Sequence, residues 1–548
     1  MNRSVLISLL ALALLLAVPL LWRAPAAPVV AATDRLVVIT PHTESIRFEF
    51  GEAFQKHWRA RTGREILIDW RSPGGTTDIT RFLDDQYRTA FRAEWTGRLG
   101  REWSREVADG FTNAKLKLDD PTVPAAARDA RRAFLASVAG IGIDLFFGGG
   151  QYDHHRQAQR GQAVDAGIQK LHPDWFGDAA IPQSFSGETF WDPQGRYYGA
   201  CVSTFGICYN LDRLAELADA TPPKTWLALA DPRFRGTLLL ADPTKSGSVN
   251  RCFEMMVQQQ MAAARQTGQT GWKETGWAAG FNLIRQLGAN AAIITDSASK
   301  VTRDVNQGIG TAGICIDFYG RTEVEWSATH AGRERMLYLT PAAGSSVSAD
   351  PIQLLRGAPN RTAAIAFIEF VLSPEGQKLW NYRVGEPGGP VKYALRRLPI
   401  RRDLYGEENR RHMSDPQADP WREGVDFTYD PTLTGAHFNL IRTLFKCMVL
   451  DPLPELQEAW NAILAAGGPQ AVPEAMAEFS ALPFAYAKAG EAGKQIDAGS
   501  PGNTPEKALA AQRDWTRFFQ EHYRRAAELA KVKQAEMRIP ATVQEGAQ

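Results

Sequence analysis

Five short stretches of this 548-residue chain share one chemistry: ITPHTES, DWRSPGGTTD, LFFGGG, LLLADPTKSGSVN and IITDSAS. In each, an aliphatic or aromatic run breaks into glycine, serine or threonine. Hydroxyls and bare backbone N–H groups at the start of a helix donate hydrogen bonds, and the helix end adds partial positive charge, so such turns favour anions. Ser246, Gly247 and Ser248 suit this role, being small and hydroxylic at the start of a helical pattern. One such turn only caps a helix. Five predict a shared cleft, because ligands of open α/β sheets sit outside the carboxyl ends of the strands.

Catalytic patterns are missing. GIGTAG (308–313) matches GxGxxG, but its glycines precede the strand-like run ICIDF, whereas a dinucleotide fingerprint needs them between strand and helix. There is no GxxxxGK[ST], HExxH or GxSxG. His154 and His155 are adjacent and would diverge on a strand, and the five cysteines form neither a CxxC pair nor a zinc-type cluster. An exported hydrolase-like enzyme would need a nucleophile–base pair or a metal cluster, and neither can be assembled. The chain is therefore expected not to be an enzyme and to require no cofactor.

The elements that must position these turns are legible in the periodicity. RLVVIT and REILIDW read as buried strands flanking the amphipathic stretch SIRFEFGEAFQKHW, a strand–helix–strand unit that implies a parallel sheet. Phe91, Trp95, Leu99, Trp103, Val107 and Phe111 recur at i+4 and predict an amphipathic helix. GRYYGACVSTFGICYN reads as two β segments, with TLLLAD, NAAIITD and ICIDF as further strands. Beyond about residue 400 the texture turns helical, ending in a long helix from a Thr504 cap with Pro505 first and an apolar stripe of Ala508, Ala511, Trp515, Phe518, Phe519 and Tyr523.

Lys and Arg number 62 against 61 Asp and Glu, which gives no basic footprint for nucleic acid. Arg3, the apolar run VLISLLALALLLAVPLLW and the small residues before Val30-Ala31-Ala32 read as an export signal, or as an uncleaved membrane tether. Among exported proteins one or two disulfides are an option, with burial of the thiols as the other.

LVVITPHTESIRFEFGEAFQKHW, IDLFFGGG, YYGACVSTFGICYN, LLLADPTKSGSVN and VLSPEGQKLW follow the order seen in periplasmic solute-binding proteins of ABC importers. Over residues 34–400 the chain resembles the ferric-iron branch of their family 1. The resemblance implies a two-lobed, type II-like α/β fold with a hinge, closing over a ligand and handing it to a membrane permease. The expected division is a signal or anchor at 1–32, a first lobe at 34–200 with a helical insertion near 86–140, a second lobe at 201–336, a return to the first lobe at 337–400, and a helical extension at 401–548. The hinge is expected in CVSTFGICYN and near MLYLTP.

By the same resemblance the cleft is lined by His42, Thr43 and Glu44, by Gly74, Gly75 and Thr76, and by Gly149 within Gly148–Gly150. Thr244, Ser246 and Ser248 oppose them, with Asp296, Ser297, Asp317 and Tyr319 nearby. Ferric binders of this family present two adjacent tyrosines as hard oxygen donors. Here IDFYGR offers Tyr319 beside Phe318, with Asp317 one strand step away and pointing elsewhere. Tyr197 and Tyr198 are adjacent but precede the hinge strand, where packing is expected. The expected ligand is ferric iron, with Tyr319 as its donor, or a small oxyanion or organic acid. A third reading makes the helical extension a docking platform of a sensor subunit, presenting its apolar stripe to a partner.

Overall fold

The computed structural model describes residues 34–498, 500 and 502–538, so the expected export signal lies outside the described residues. Two sheets organise the molecule. The first is built from β1 (Asp34–Ile39), β2 (Ile66–Arg71), β3 (Leu145–Phe147), β4 (Ala163–Val164), β7 (Tyr198–Ser203), β13 (Ser348–Leu355) and β14 (Leu398–Pro399) in the order β14-β7-β13-β3-β1-β2, with β4 beside β13. The second runs β10-β9-β11-β8-β12, from β8 (Phe205–Asn210), β9 (Leu238–Ala241), β10 (Ala291–Thr295), β11 (Ala312–Ile316) and β12 (Met336–Leu339). A small hairpin, β5 (Ser184–Phe185) with β6 (Glu188–Thr189), stands apart.

Each sheet carries three parallel strands, β2-β1-β3 in one and β10-β9-β11 in the other. Every one of the six feeds a helix at its carboxyl end. β1 is buried throughout its second half, but β2 is an edge strand with Leu67 half-exposed, so REILIDW is buried on one face only. Separate apolar cores fill the two lobes, one around Phe50, Phe147, Phe367 and Trp380, the other around Phe253, Phe281, Leu287 and Trp460. Tyr197 and Tyr198 are buried in the first lobe, as packing residues.

The chain changes lobe first at Thr204, between β7 and β8, and again within 340–347, between β12 and β13. Both crossings fall in the segments expected to form the hinge, though β12 still belongs to the second sheet and β7 to the first. A third passage was not foreseen. Residues 401–423 stay with the first lobe, where the Trp421 ring lies 5.1 Å from Phe185. From Phe427 and Tyr429 onward, the chain enters the second lobe's core. Gly424 marks the passage, and a Cβ there would collide with Val347 of the second crossing.

The stretch 91–111 is not one helix. The helix Thr76–Ala93 runs into a π turn at Glu94–Arg98, and short helices follow at Arg105–Gly110 and Ala125–Ala136. The i+4 apolar residues still meet, because Phe91, Trp95, Val107 and Phe111 fold onto Phe134 as a small private core. All five cysteines are buried free thiols. No helix among the described residues is long and apolar enough to cross a membrane.

Candidate functional site

The six βα turns face one another across a cleft of about 500 Å3 between the lobes. The residues preceding the six helices are Thr43, Gly75 and Gly150 from the first lobe, and Ser246, Ser297 and Ile316 from the second. All six line the cleft. Their helices thus aim unsatisfied N–H groups and the positive ends of their dipoles at one volume. Hydroxyls are paired at the rims: Ser246 with Ser248 at 3.0 Å, Ser297 with Ser299 at 3.1 Å, and Thr43 with Ser45 at 2.8 Å.

Backbone conformation explains the glycines. Gly148 (φ 91°) and Gly149 (φ 102°) are left-handed, and a Cβ at Gly148 would run into the His42 ring. His154 fastens this turn from below: its Nε2 lies 2.9 Å from the Gly148 carbonyl and its Nδ1 3.0 Å from the Gln353 side-chain amide. Burial pushes this imidazole down to about 4, so it serves as a neutral support. It sits on the helix Gln151–Arg160 rather than on a strand. Across the cleft a Cβ at Gly75 would lie 3.0 Å from the Lys245 carbonyl, so the lobes nearly touch there.

The floor, beside the first hinge crossing, holds a charged trio. Arg397 donates to Asp350, and its second terminal nitrogen lies 3.2 Å from Ser203 Oγ. His42 Nε2 lies 3.4 Å from both Asp350 Oδ2 and Arg397 Nη1. Burial alone would raise the Asp350 carboxyl, but the Arg397 guanidinium and His42 hold it far below the carboxylate range. Burial lowers His42, against the pull of Asp350. Arg397 also stacks on Phe318 of the second lobe, its guanidinium 4.5 Å from the ring centre.

Of the residues expected to line the cleft, His42, Thr43, Gly75, Thr76, Gly149, Ser246, Ser248, Asp296, Ser297 and Tyr319 do so. Glu44, Gly74, Thr244 and Asp317 do not. Glu44 is exposed in the first turn of its helix. Gly74 sits behind the turn, against the Asp78 side chain. The Thr244 N–H donates to Asp242 Oδ1 at 2.7 Å, tying it into its own turn. Asp317 is a correction of element type: β11 ends at Ile316 and a helix begins at Asp317. Its buried carboxylate accepts from the Phe318 N–H and from Arg321, both at 2.8 Å.

Tyr319 lines the cleft beside Phe318, ring centres 4.2 Å apart, and burial raises its phenol, which disfavours the phenolate a metal would need. Among the described residues no three His, Cys, Asp or Glu side chains are grouped to hold a metal ion. Sequence reasoning missed Lys245, Arg251, Asp350, Arg397, Ser203 and Phe438. Lys245 alone had a visible signal, since it sits inside ADPTKSGS.

Residues 138–398 match the family of bacterial extracellular solute-binding proteins. The phosphoglycerate transport regulatory protein PgtC of Salmonella typhimurium is 24% identical over 262 residues, covering 48% of this chain and 56% of that protein. Iron uptake protein A2 of Synechocystis is 28% identical over 218 residues, 37% of this chain and 56% of the relative. The matched part thus spans just over half the length of these curated relatives. Among solved structures, the fructose-6-phosphate-bound periplasmic binding protein AfuA from Actinobacillus pleuropneumoniae is 16% identical with a TM-score of 0.49, over 76% of this chain and 99% of that one. Iron-bound HitA from Pseudomonas aeruginosa is 16% identical with a TM-score of 0.44, over 75% and 98%. The likeness to the bacterial extracellular solute-binding proteins thus rests on residues 138–398, a little under half of the chain, within a framework of two α/β lobes and a cleft rimmed by βα turns.

Proposed function

We propose that the protein is the solute-binding component of an ABC-type importer and that its ligand is a small organic anion, with a phosphate or carboxylate end. The observation that carries this reading is the convergence of six helix N-termini on one cleft, joined by Lys245 and by the buried Arg397. An anion bound there collects N–H donors and hydroxyls from both lobes at once. Ligand therefore stabilises the closed form, which a membrane permease would recognise. Ile46, Tyr152, Phe205, Phe318 and Phe438 offer apolar surface for a carbon skeleton. A phosphoglycerate transport regulatory protein stands among its relatives, beside an iron uptake protein. Ferric iron is the weaker reading, because Phe318 stands where a second tyrosine would be needed and burial opposes ionisation of Tyr319.

The test is thermal unfolding and calorimetry of the exported part with 3-phosphoglycerate, fructose 6-phosphate, inorganic phosphate and ferric citrate. An organic phosphate should raise the melting midpoint by mass action. Lys245→Met should weaken it about tenfold, as expected for one charge-assisted contact of about 1.4 kcal/mol. A shift with ferric citrate alone, abolished by Tyr319→Phe, would overturn the anion reading.

A further inference from the structure

The helix Phe438–Phe445 belongs to the C-terminal section, outside the matched region, yet it reaches the cleft. Leu440, Ile441, Leu444 and Phe445 bury one face in the second lobe, with Phe445 stacked 4.7 Å from Phe253. Asn250, one turn into the helix that starts at Ser246, donates to the Phe438 carbonyl at 2.9 Å. The other face crosses to the first lobe. The Phe438 ring lies 4.7 Å from the ring of Tyr152, and Arg442 Nη1 donates to Thr77 Oγ1 at 3.0 Å. Tyr152 and Thr77 sit in the first turns of two of the helices that aim at the cleft. Phe438 and Tyr152 both line it.

Resting on the reading of this cleft as the ligand site, we propose that the C-terminal section supplies its end wall, with Phe438 on Tyr152 and Arg442 on Thr77 bridging the lobes, and that this wall limits the length of ligand accepted. A ring fixed on one lobe and seated on a ring of the other closes the cleft at that end, so the wall parts whenever the lobes open. Arg442 reinforces the seat. Its guanidinium is also held by Asn439 and faces the buried carboxylate of Asp153 from the second lobe's side.

The experiment uses the full chain in two measurements. Interlobe distances, read from one spin label on each lobe without added ligand, should form a short population that broadens outward in Phe438→Ala/Arg442→Ala. Calorimetry should then compare 3-phosphoglycerate with the longer fructose 6-phosphate. In Phe438→Ala the preference should move toward the longer ligand by about tenfold. Phe438→Leu keeps apolar mass in place and should fall between, which guards against a misfolded helix. An unchanged distance distribution together with an unchanged preference overturns the wall. If the unmodified chain binds neither probe, the ligand class proposed above fails, and the wall then stands or falls on the distance change alone.

Discussion

Two regions interrupt or extend the bilobal framework, and they are integrated in opposite ways. The insertion near 86–140 is a satellite, with its aromatic side chains facing one another around Phe91, Phe111 and Phe134. The section after residue 427 has no such separate core: Phe445, Trp460, Ile463, Phe479, Phe519 and Tyr523 are continuous with the core of the second lobe. The stripe that a docking platform would present is mostly spent there, with Trp515, Phe519 and Tyr523 buried. An addition shares stability with its host only where it shares a core. The C-terminal section should therefore behave as part of the second lobe, and the insertion as an appendage.

The largest expected effect comes from ending the chain at residue 426. Buried Arg285 would lose the Tyr523 hydroxyl (3.1 Å) and the Ala481 carbonyl (2.7 Å), and Asn290 would lose the Trp460 N–H at 3.0 Å. Such a chain should leave the second lobe without cooperative unfolding in calorimetry, while the first lobe keeps its own transition. Two transitions at unaltered temperatures would mean that the shared core is dispensable.

Next is Arg251, at the seam between the C-terminal section and both lobes. It pairs with Glu188 of the small hairpin and with Glu254, and its guanidinium lies 3.9 Å from the Tyr429 ring centre. Glu254 also accepts from Tyr429 (2.9 Å) and Thr434 (2.7 Å). Arg251→Met leaves two buried carboxylates without their cation and should cost about 3–5 kcal/mol in urea unfolding. The triple variant with Glu188→Gln and Glu254→Gln should recover part of that loss. By contrast, Phe91→Ala should cost about 3 kcal/mol locally. It should raise exchange of insertion amides without moving ligand affinity. A change in affinity would break the satellite view.

How much of this was legible follows from distance along the chain. Thr43, Gly75, Ser246 and Ser297 could be found because strand, small residues and helix are neighbours in sequence, and that local pattern fixes where the turn points. Asp350, Arg397 and Phe438 carry no local signature; only the sheet order, which places β13 between β7 and β3, brings Asp350 to His42. Asp317 was misplaced by one element boundary. On a strand it would alternate with Phe318, whereas as the first residue of a helix it pairs with Arg321 one turn further on. The i+4 apolar residues from Phe91 to Phe111 formed one core without forming one helix, because a π turn and a loop can bring the same side chains together.

The smallest effect separates two neighbours beneath the glycine turn. His154, ordinarily near 6.5, is held at about 4 by burial, so the unfolded chain takes up the proton first as pH falls. Its contribution is complete above 6.5 and lost down to about 4, at most about 3 kcal/mol. Asp153 runs the other way. Burial raises it from 3.8 to about 6 despite Arg442 and Arg156, so the unfolded chain ionises first as pH rises. That contribution is complete below 3.8 and lost by about pH 6, again at most about 3 kcal/mol. Between pH 4 and 6 the two nearly cancel. The His154/Asp153 contribution to the urea midpoint should therefore be almost flat there. Asp153→Asn should make the midpoint rise with pH across the same window, and His154→Gln, which keeps a donor for the Gly148 carbonyl, should make it fall. Parallel shifts in both variants would mean that these two side chains do not titrate against each other, and that the glycine turn of the cleft is held by packing rather than by a neutral imidazole.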